Sequence, residues 1–152
     1  DPVEVDWDWD VNEESKNYLL LIAVDDYKYW NSLSNAVKDA ESVRKMLTAK
    51  YTFANENVVT IYNENFNLDQ VEAEMTKLIE KVTANDNLLI YYSGHGYYNS
   101  MIKEGYWIPF NANKGKNTQY LPNSTLIKYI ASVESKHTLL IADACFSGTK
   151  AV

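Results

Sequence analysis

The sequence predicts an α/β domain in three layers: a mostly parallel central sheet flanked by helices. Two observations carry this. The first is a set of apolar runs with no polar residue at alternate positions, such as Tyr18-Leu19-Leu20-Leu21-Ile22-Ala23-Val24, which read as strands buried on both faces. The second is that stretches with apolar residues at helical spacing stand between these runs. Such alternation is the pattern of parallel strands joined by crossover helices.

Each element has its own justification. The run 18–24 is the first strand and ends at Asp25-Asp26. Leu33, Ala36, Val37, Ala40, Val43 and Leu47 then repeat as a helix, with Ser34 or Asn35 as its cap. Val58-Val59-Thr60-Ile61-Tyr62 is β-branched and strand-like. Leu68, Val71, Met75, Leu78, Ile79 and Val82 give the cleanest helical stripe, with Asn67 as N-cap and Gln70 placed to complete a capping box. Asn87-Leu88-Leu89-Ile90-Tyr91-Tyr92 is a third buried strand. Irregular chain is expected from there to about Pro122, broken by one extended piece at Tyr106-Trp107-Ile108. Leu126, Ile127, Ile130 and Val133 form a third helix, and Thr138-Leu139-Leu140-Ile141-Ala142 the last strand. Residues 17–152 thus form one domain, preceded by an acidic and aromatic arm over 1–16.

Composition narrows the function classes. The formal charge of the 152-residue chain is -7 and Lys and Arg are dispersed, which disfavours nucleic acid and anionic membrane surfaces as partners. No apolar run approaches the roughly 20 residues that span a bilayer. The chain opens on acidic residues rather than a secretory signal, so a cytoplasmic location is expected. There is one cysteine, so no internal disulfide forms and a reducing compartment suits it. The chain stops seven residues after Cys145. A strand left at the sheet edge there would present unpaired backbone and an apolar face, so a further C-terminal segment is expected to cover it.

Ligands in open α/β sheets sit beyond the carboxyl ends of the strands. Two segments of like form end there: Leu88 to Tyr92 followed by Ser93-Gly94-His95-Gly96, and Leu139 to Ala142 followed by Asp143-Ala144-Cys145. Neighbouring parallel strands would bring the imidazole and the thiol to one edge. A thiol needs a base beside it to become a nucleophilic thiolate, and the same base can protonate a leaving amine. A lone cysteine is more often an inert small hydrophobe, and a lone histidine at a strand end more often structural. His137, with no motif around it, is read as structural.

Together, the His-Gly and Ala-Cys tips after apolar strands resemble the caspase superfamily. Fifty positions separate His95 from Cys145, matching the roughly 50-residue caspase interval. The resemblance runs from about Tyr18 to Gly148. It implies a caspase-like sandwich completed by a C-terminal small subunit of the same precursor. It also implies a cysteine endopeptidase with Cys145 as nucleophile, His95 as acid/base, and the N–H groups of Gly96 and Cys145 as oxyanion donors.

Asp-cleaving caspases carry Gln two residues before the nucleophile, where this chain has Asp143. Two like charges 4 Å apart at an effective dielectric of about 20 repel by about 4 kcal/mol, enough to reject an acidic side chain and to attract Arg or Lys. The segment looks like the metacaspase and bacterial orthocaspase branch, which cleaves after basic residues. That likeness implies a substrate grip by Asp143, Ser93 and Asp39, although Asn35-Ala36-Val37-Lys38-Asp39-Ala40 departs from the branch's helix signature at Ala36 and Lys38. Asp25 and Asp26 are as readily turn formers as pocket walls. Many metacaspases need calcium, but the stretch 111–119 contains no Asp or Glu, so neither a metal site nor another cofactor is expected.

Two alternatives stay open: an idle caspase-like scaffold that binds partners, and an Asp-specific peptidase of the caspase type. A nucleotide-binding hydrolase is disfavoured because no Gly-rich phosphate loop follows the first strand.

Overall fold

Strand β1 (Asn17–Ala23) is buried over its last six residues, and successive side chains enter different cores. Leu20 and Ile22 join one apolar cluster, whereas Leu19, Leu21 and Ala23 join a second. This is the two-residue period of a strand covered on both faces. It explains why the run has no polar alternation, since each leucine contributes about 1.5–3 kcal/mol through burial.

The computed structural model describes residues 15–146, with side chains as far as Ala144. After β1 come α1 (Ala36–Lys50), β2 (Val58–Tyr62), α2 (Leu68–Lys81), β3 (Asn87–Asn99), β4 (Glu104–Trp107), β5 (Leu121–Pro122), α3 (Asn123–Ser132) and β6 (His137–Phe146). Helix α1 covers the Leu19 face through Ala36, Ala40 and Leu47. Val71, Met75 and Leu78 of α2 and Leu126 of α3 cover the Leu20 face. The result is the predicted α/β sandwich, with β1, β2, β3 and β6 parallel. The arm read over 1–16 lies outside the described residues except for Ser15 and Lys16. The Lys16 N–H already bonds to the Asp86 carboxylate at 2.8 Å.

The stretch expected to be irregular after Tyr92 begins instead as ordered sheet, over 93–99; the extended piece expected at Tyr106-Trp107-Ile108 falls largely in β4, and 108–120 contains no strand. Strand β3 runs on to Asn99 and turns back into β4, pairing Gly96 with Trp107 and Tyr97 with Tyr106. Aromatic packing accounts for it: Trp107 stacks on Tyr92 with ring centres 4.1 Å apart and planes 10° apart. Gly96 also pairs with Phe146, so β4 and β6 lie on opposite edges of β3. Strand β6 likewise continues past Ala142, so both reactive residues lie within a paired ladder rather than beyond it.

Capping also departs from expectation. Asn35 is the N-cap residue of α1 as expected, but its side chain makes no capping hydrogen bond; the Asp25 carboxylate, just past the end of β1, accepts the Val37 N–H at 3.1 Å instead. At α2, Asn67 does accept the Gln70 N–H at 2.9 Å, but the Gln70 side chain bonds Glu74 and leaves the box half formed.

On β6, Leu139, Leu140 and Ile141 are 55%, 39% and 41% exposed, and among the described residues no strand pairs with its outer edge. Among the same residues no helix is long and apolar enough to cross a membrane.

Candidate active site

Strands β3 and β6 run parallel in unbroken register from Asn87↔His137 to Gly96↔Phe146. Within it Ser93 stands opposite Asp143 and His95 opposite Cys145. Register partners on neighbouring parallel strands lie about 4.8 Å apart, so the two pairs stand two steps apart in one ladder. Gly96, one step beyond, is backbone-paired on both edges. His137 is at the opposite end of β6, eight steps and about 26 Å away.

Both backbone groups of His95 are held. Its N–H donates to the Tyr27 hydroxyl at 2.7 Å, and its carbonyl accepts from the Tyr92 hydroxyl at 2.6 Å and the Ile108 N–H at 3.1 Å. Burial raises the pKa of Tyr27 to about 12 and pushes that of fully buried Tyr92 well up. Both therefore stay protonated phenols able to donate and accept. The two hydroxyls crowd Gly94: a Cβ there would lie 2.6 Å from the Tyr92 oxygen and 2.7 Å from that of Tyr27. Only glycine fits between them.

The imidazole leans on two rings, Tyr27 at 4.8 Å and Trp30 at 5.5 Å between centres. Its Nε2 is 2.7 Å from the Asn31 carbonyl oxygen. A carbonyl can only accept, so Nε2 carries a proton, and Nδ1 is the nitrogen left without this partner.

Around the other rung, Ser93 is buried, whereas Asp143 and Asp39 are exposed, the latter in the first turn of α1. Buried Tyr91 links them. Its hydroxyl pKa is raised first by burial and then by the charge of Asp143, with Asp39 adding to the rise and a hydrogen bond with Ser93 opposing it. The two carboxylates thus act on one phenol beside Ser93. Asp25 is occupied as the α1 cap, and the Asp25 and Asp26 N–H groups both donate to Asn63 Oδ1 at 3.1 Å.

The 111–119 stretch does not fit a hard cation. Its polar groups are committed internally: Gln119 Oε1 accepts the Asn113 N–H at 2.7 Å, and the Tyr120 hydroxyl donates to the Asn113 carbonyl at 3.1 Å. Among the described residues no three His, Cys, Asp or Glu side chains converge on a metal position.

Sequence reading had not singled out Tyr27, Trp30, Asn31, Tyr91, Tyr92 or Gly94. Tyr91 was accessible, since it shares a strand face with Ser93 and His95. Asn31 was not, because it acts through its backbone.

A family model described as the caspase domain matches residues 16–151. Metacaspase-1 of Arabidopsis thaliana is 25% identical over 133 residues, covering 78% of this chain and 36% of its own length. Metacaspase-1 of Cryptococcus neoformans is 29% identical over 87 residues, covering 53% and 19%. The chain therefore spans about a fifth to a third of the curated relatives it matches. A crystal structure of a Geobacter sulfurreducens protein superposes with a TM-score of 0.71 at 19% identity, over 88% of this chain and 52% of that one. At that identity the likeness speaks for the fold alone.

Proposed function

This chain belongs to the caspase-domain peptidase family, and on that premise we propose that it is a cysteine endopeptidase cleaving polypeptides after Arg or Lys. The observation that carries the reading is the paired register of His95 with Cys145 and of Ser93 with Asp143 on two parallel strands.

In the proposed reaction the Cys145 thiol proton passes to His95 Nδ1, since Nε2–H is committed to the Asn31 carbonyl. The thiolate sulfur bonds to the scissile carbonyl carbon, and that carbonyl's π electrons move onto its oxygen. The N–H groups of Gly96 and Cys145, both in paired strands here, are the donors proposed for the oxyanion once the substrate opens that pairing. As the tetrahedral adduct collapses the C–N bond breaks, and the imidazolium gives its proton to the departing amine. Water then attacks the thioester, giving a proton to His95; the C–S bond breaks, a carboxylic acid leaves, and Cys145 regains its thiol.

Asp143, Asp39 and the Ser93 hydroxyl take the substrate's basic side chain. At 4 Å each carboxylate attracts a cation by about 1 kcal/mol in water and about 4 kcal/mol at an effective dielectric of 20. Exposed Leu139, Leu140 and Ile141 on β6 favour a partner strand there, and we assign it to a C-terminal small subunit of the same precursor. A free thiol as nucleophile fits a reducing compartment such as the cytoplasm.

The test is a panel of fluorogenic peptides ending in Arg, Lys or Asp, run on the complete protein with its C-terminal segment, with Cys145→Ala as control. Cleavage after Arg or Lys that vanishes in Cys145→Ala is expected. Cleavage confined to Asp-ending peptides would defeat the specificity. No Cys145-dependent cleavage, and no labelling by a thiol-reactive Arg peptide, would favour an idle scaffold.

A further inference from the structure

The imidazole of His95 depends on an exposed loop for its tautomer. The carbonyl that fixes Nε2–H belongs to Asn31, and Asn31 and Ser32 are both exposed. Water competes for a hydrogen bond at such a place, so the bond persists only if the loop is held still. The loop is tied at its flanks, where the Lys28 N–H donates to the Phe110 carbonyl and the Leu33 N–H to that of Asp25. Between these ties the indole of Trp30 is the contact nearest in sequence to Asn31. It meets the edge of Tyr120 at 5.9 Å, the His95 ring at 5.5 Å and the Lys114 ammonium at 5.6 Å. Tyr120 is a fixed post, 2% exposed, with its hydroxyl bonded to both Asn113 and Gly115. The buried Trp30 Nε1–H has no hydrogen-bond partner among the described residues, so the indole is held by ring packing and the Lys114 cation without a hydrogen bond.

The geometry points to Trp30 as a positioning residue, which seats the Asn31 carbonyl on His95 Nε2 and so keeps Nδ1 as the proton-exchanging nitrogen. Its consequence for rate rests on the peptidase reading; its consequence for the tautomer does not.

Two readouts separate these. In the full chain labelled with ¹⁵N-histidine, where His137 is the only other histidine, long-range ¹H–¹⁵N spectra report which nitrogen of His95 is protonated. Wild type is expected to show the Nε2–H form, Trp30→Ala a mixture of both tautomers, and Trp30→Phe, which keeps a flat ring and removes the unpartnered donor, the wild-type form. Trp30→Leu substitutes for Ala if that variant fails to fold, and is expected to give the same mixture. On an Arg-ending peptide, Trp30→Ala is expected to lower kcat about ten- to a hundredfold with KM within about twofold, and Trp30→Phe to restore it. An unchanged tautomer in Trp30→Ala, or a Phe variant as impaired as Ala, overturns the assignment. A complete protein, small subunit included, that cleaves no peptide strikes the peptidase reading, and the spectra then decide the role of Trp30.

Discussion

Ser93 stands directly opposite Asp143 across β3 and β6, two register steps before the His95–Cys145 pair. Residues i and i+2 of a strand share a face, so on the proposed reading a substrate side chain taken by the first pair leaves its carbonyl at the second.

The charge of Asp143 is therefore expected to set the substrate preference. Asp143→Asn keeps the shape and removes the charge, forfeiting about 1–4 kcal/mol of attraction. Each 1.4 kcal/mol is tenfold, so kcat/KM for Arg-ending peptides falls at least about fivefold and the residual activity becomes less salt-sensitive. Steady-state kinetics at two ionic strengths measure both. An Asn variant that cleaves as well as wild type would exclude Asp143 from recognition.

Gly94 lies where the Tyr27 and Tyr92 hydroxyls converge on the backbone of His95. In Gly94→Ala the new methyl would sit 2.6–2.7 Å from both oxygens, and both rings are buried and cannot swing aside cheaply. The expected cost is about 1–3 kcal/mol, the usual range for overpacking, read as a lower denaturation midpoint at unchanged m-value. Activity falls with it because the displaced hydroxyls hold His95. A change below about 0.5 kcal/mol would mean that the rings yield freely.

How far the sequence reached is clear from β1 and β3. The Leu19–Val24 run announced a strand covered on both faces because burial acts on every residue of it, and composition records that. The extension of β3 to Asn99 was hidden, since Ser93-Gly94-His95-Gly96 has turn-like composition and is kept extended by tertiary contacts: Tyr27 and Tyr92 on the backbone, Trp107 and Ile108 across the strand. The source of the α1 capping hydrogen bond was hidden for a similar reason. Asn35 has the right chemistry at the right position, yet Asp25 reaches Val37 from twelve residues away. Local pattern cannot rank a cap brought in by the sheet.

Asn63 joins the two strand ends near the site. Its φ of 47° is left-handed, and its side chain accepts the N–H groups of both Asp25 and Asp26. Two substitutions separate these duties. Asn63→Gly keeps the backbone freedom and loses the acceptor, whereas Asn63→Ala loses both. Expected losses are about 1–3 kcal/mol for Gly, from two unsatisfied N–H groups, and about 1 kcal/mol more for Ala. Equal stability of the two variants would show that the φ angle carries no strain.

Asp86 is expected to govern part of the acid limb of stability. It is 4% exposed, and burial alone would raise its pKa. The N–H groups of Thr83 and Lys16, the Thr83 hydroxyl and the Lys16 charge outweigh burial and hold its carboxyl below the usual value. With the folded pKa depressed, the contribution is fully present above the unfolded value, near 3.9, and is lost as pH falls through the folded one. Glu41, lowered chiefly by its hydrogen bond with Arg44, adds in the same direction, but as a partly solvated surface pair it contributes little. Asp86→Asn puts an NH2 group where an acceptor is needed, costing about 1.5–3 kcal/mol at neutral pH. It also flattens the pH dependence below about 4. Urea titrations of both proteins from pH 7 to pH 3 measure the two effects. Parallel curves, offset but equally steep in acid, would remove Asp86 from the account and leave the acid limb to other carboxylates.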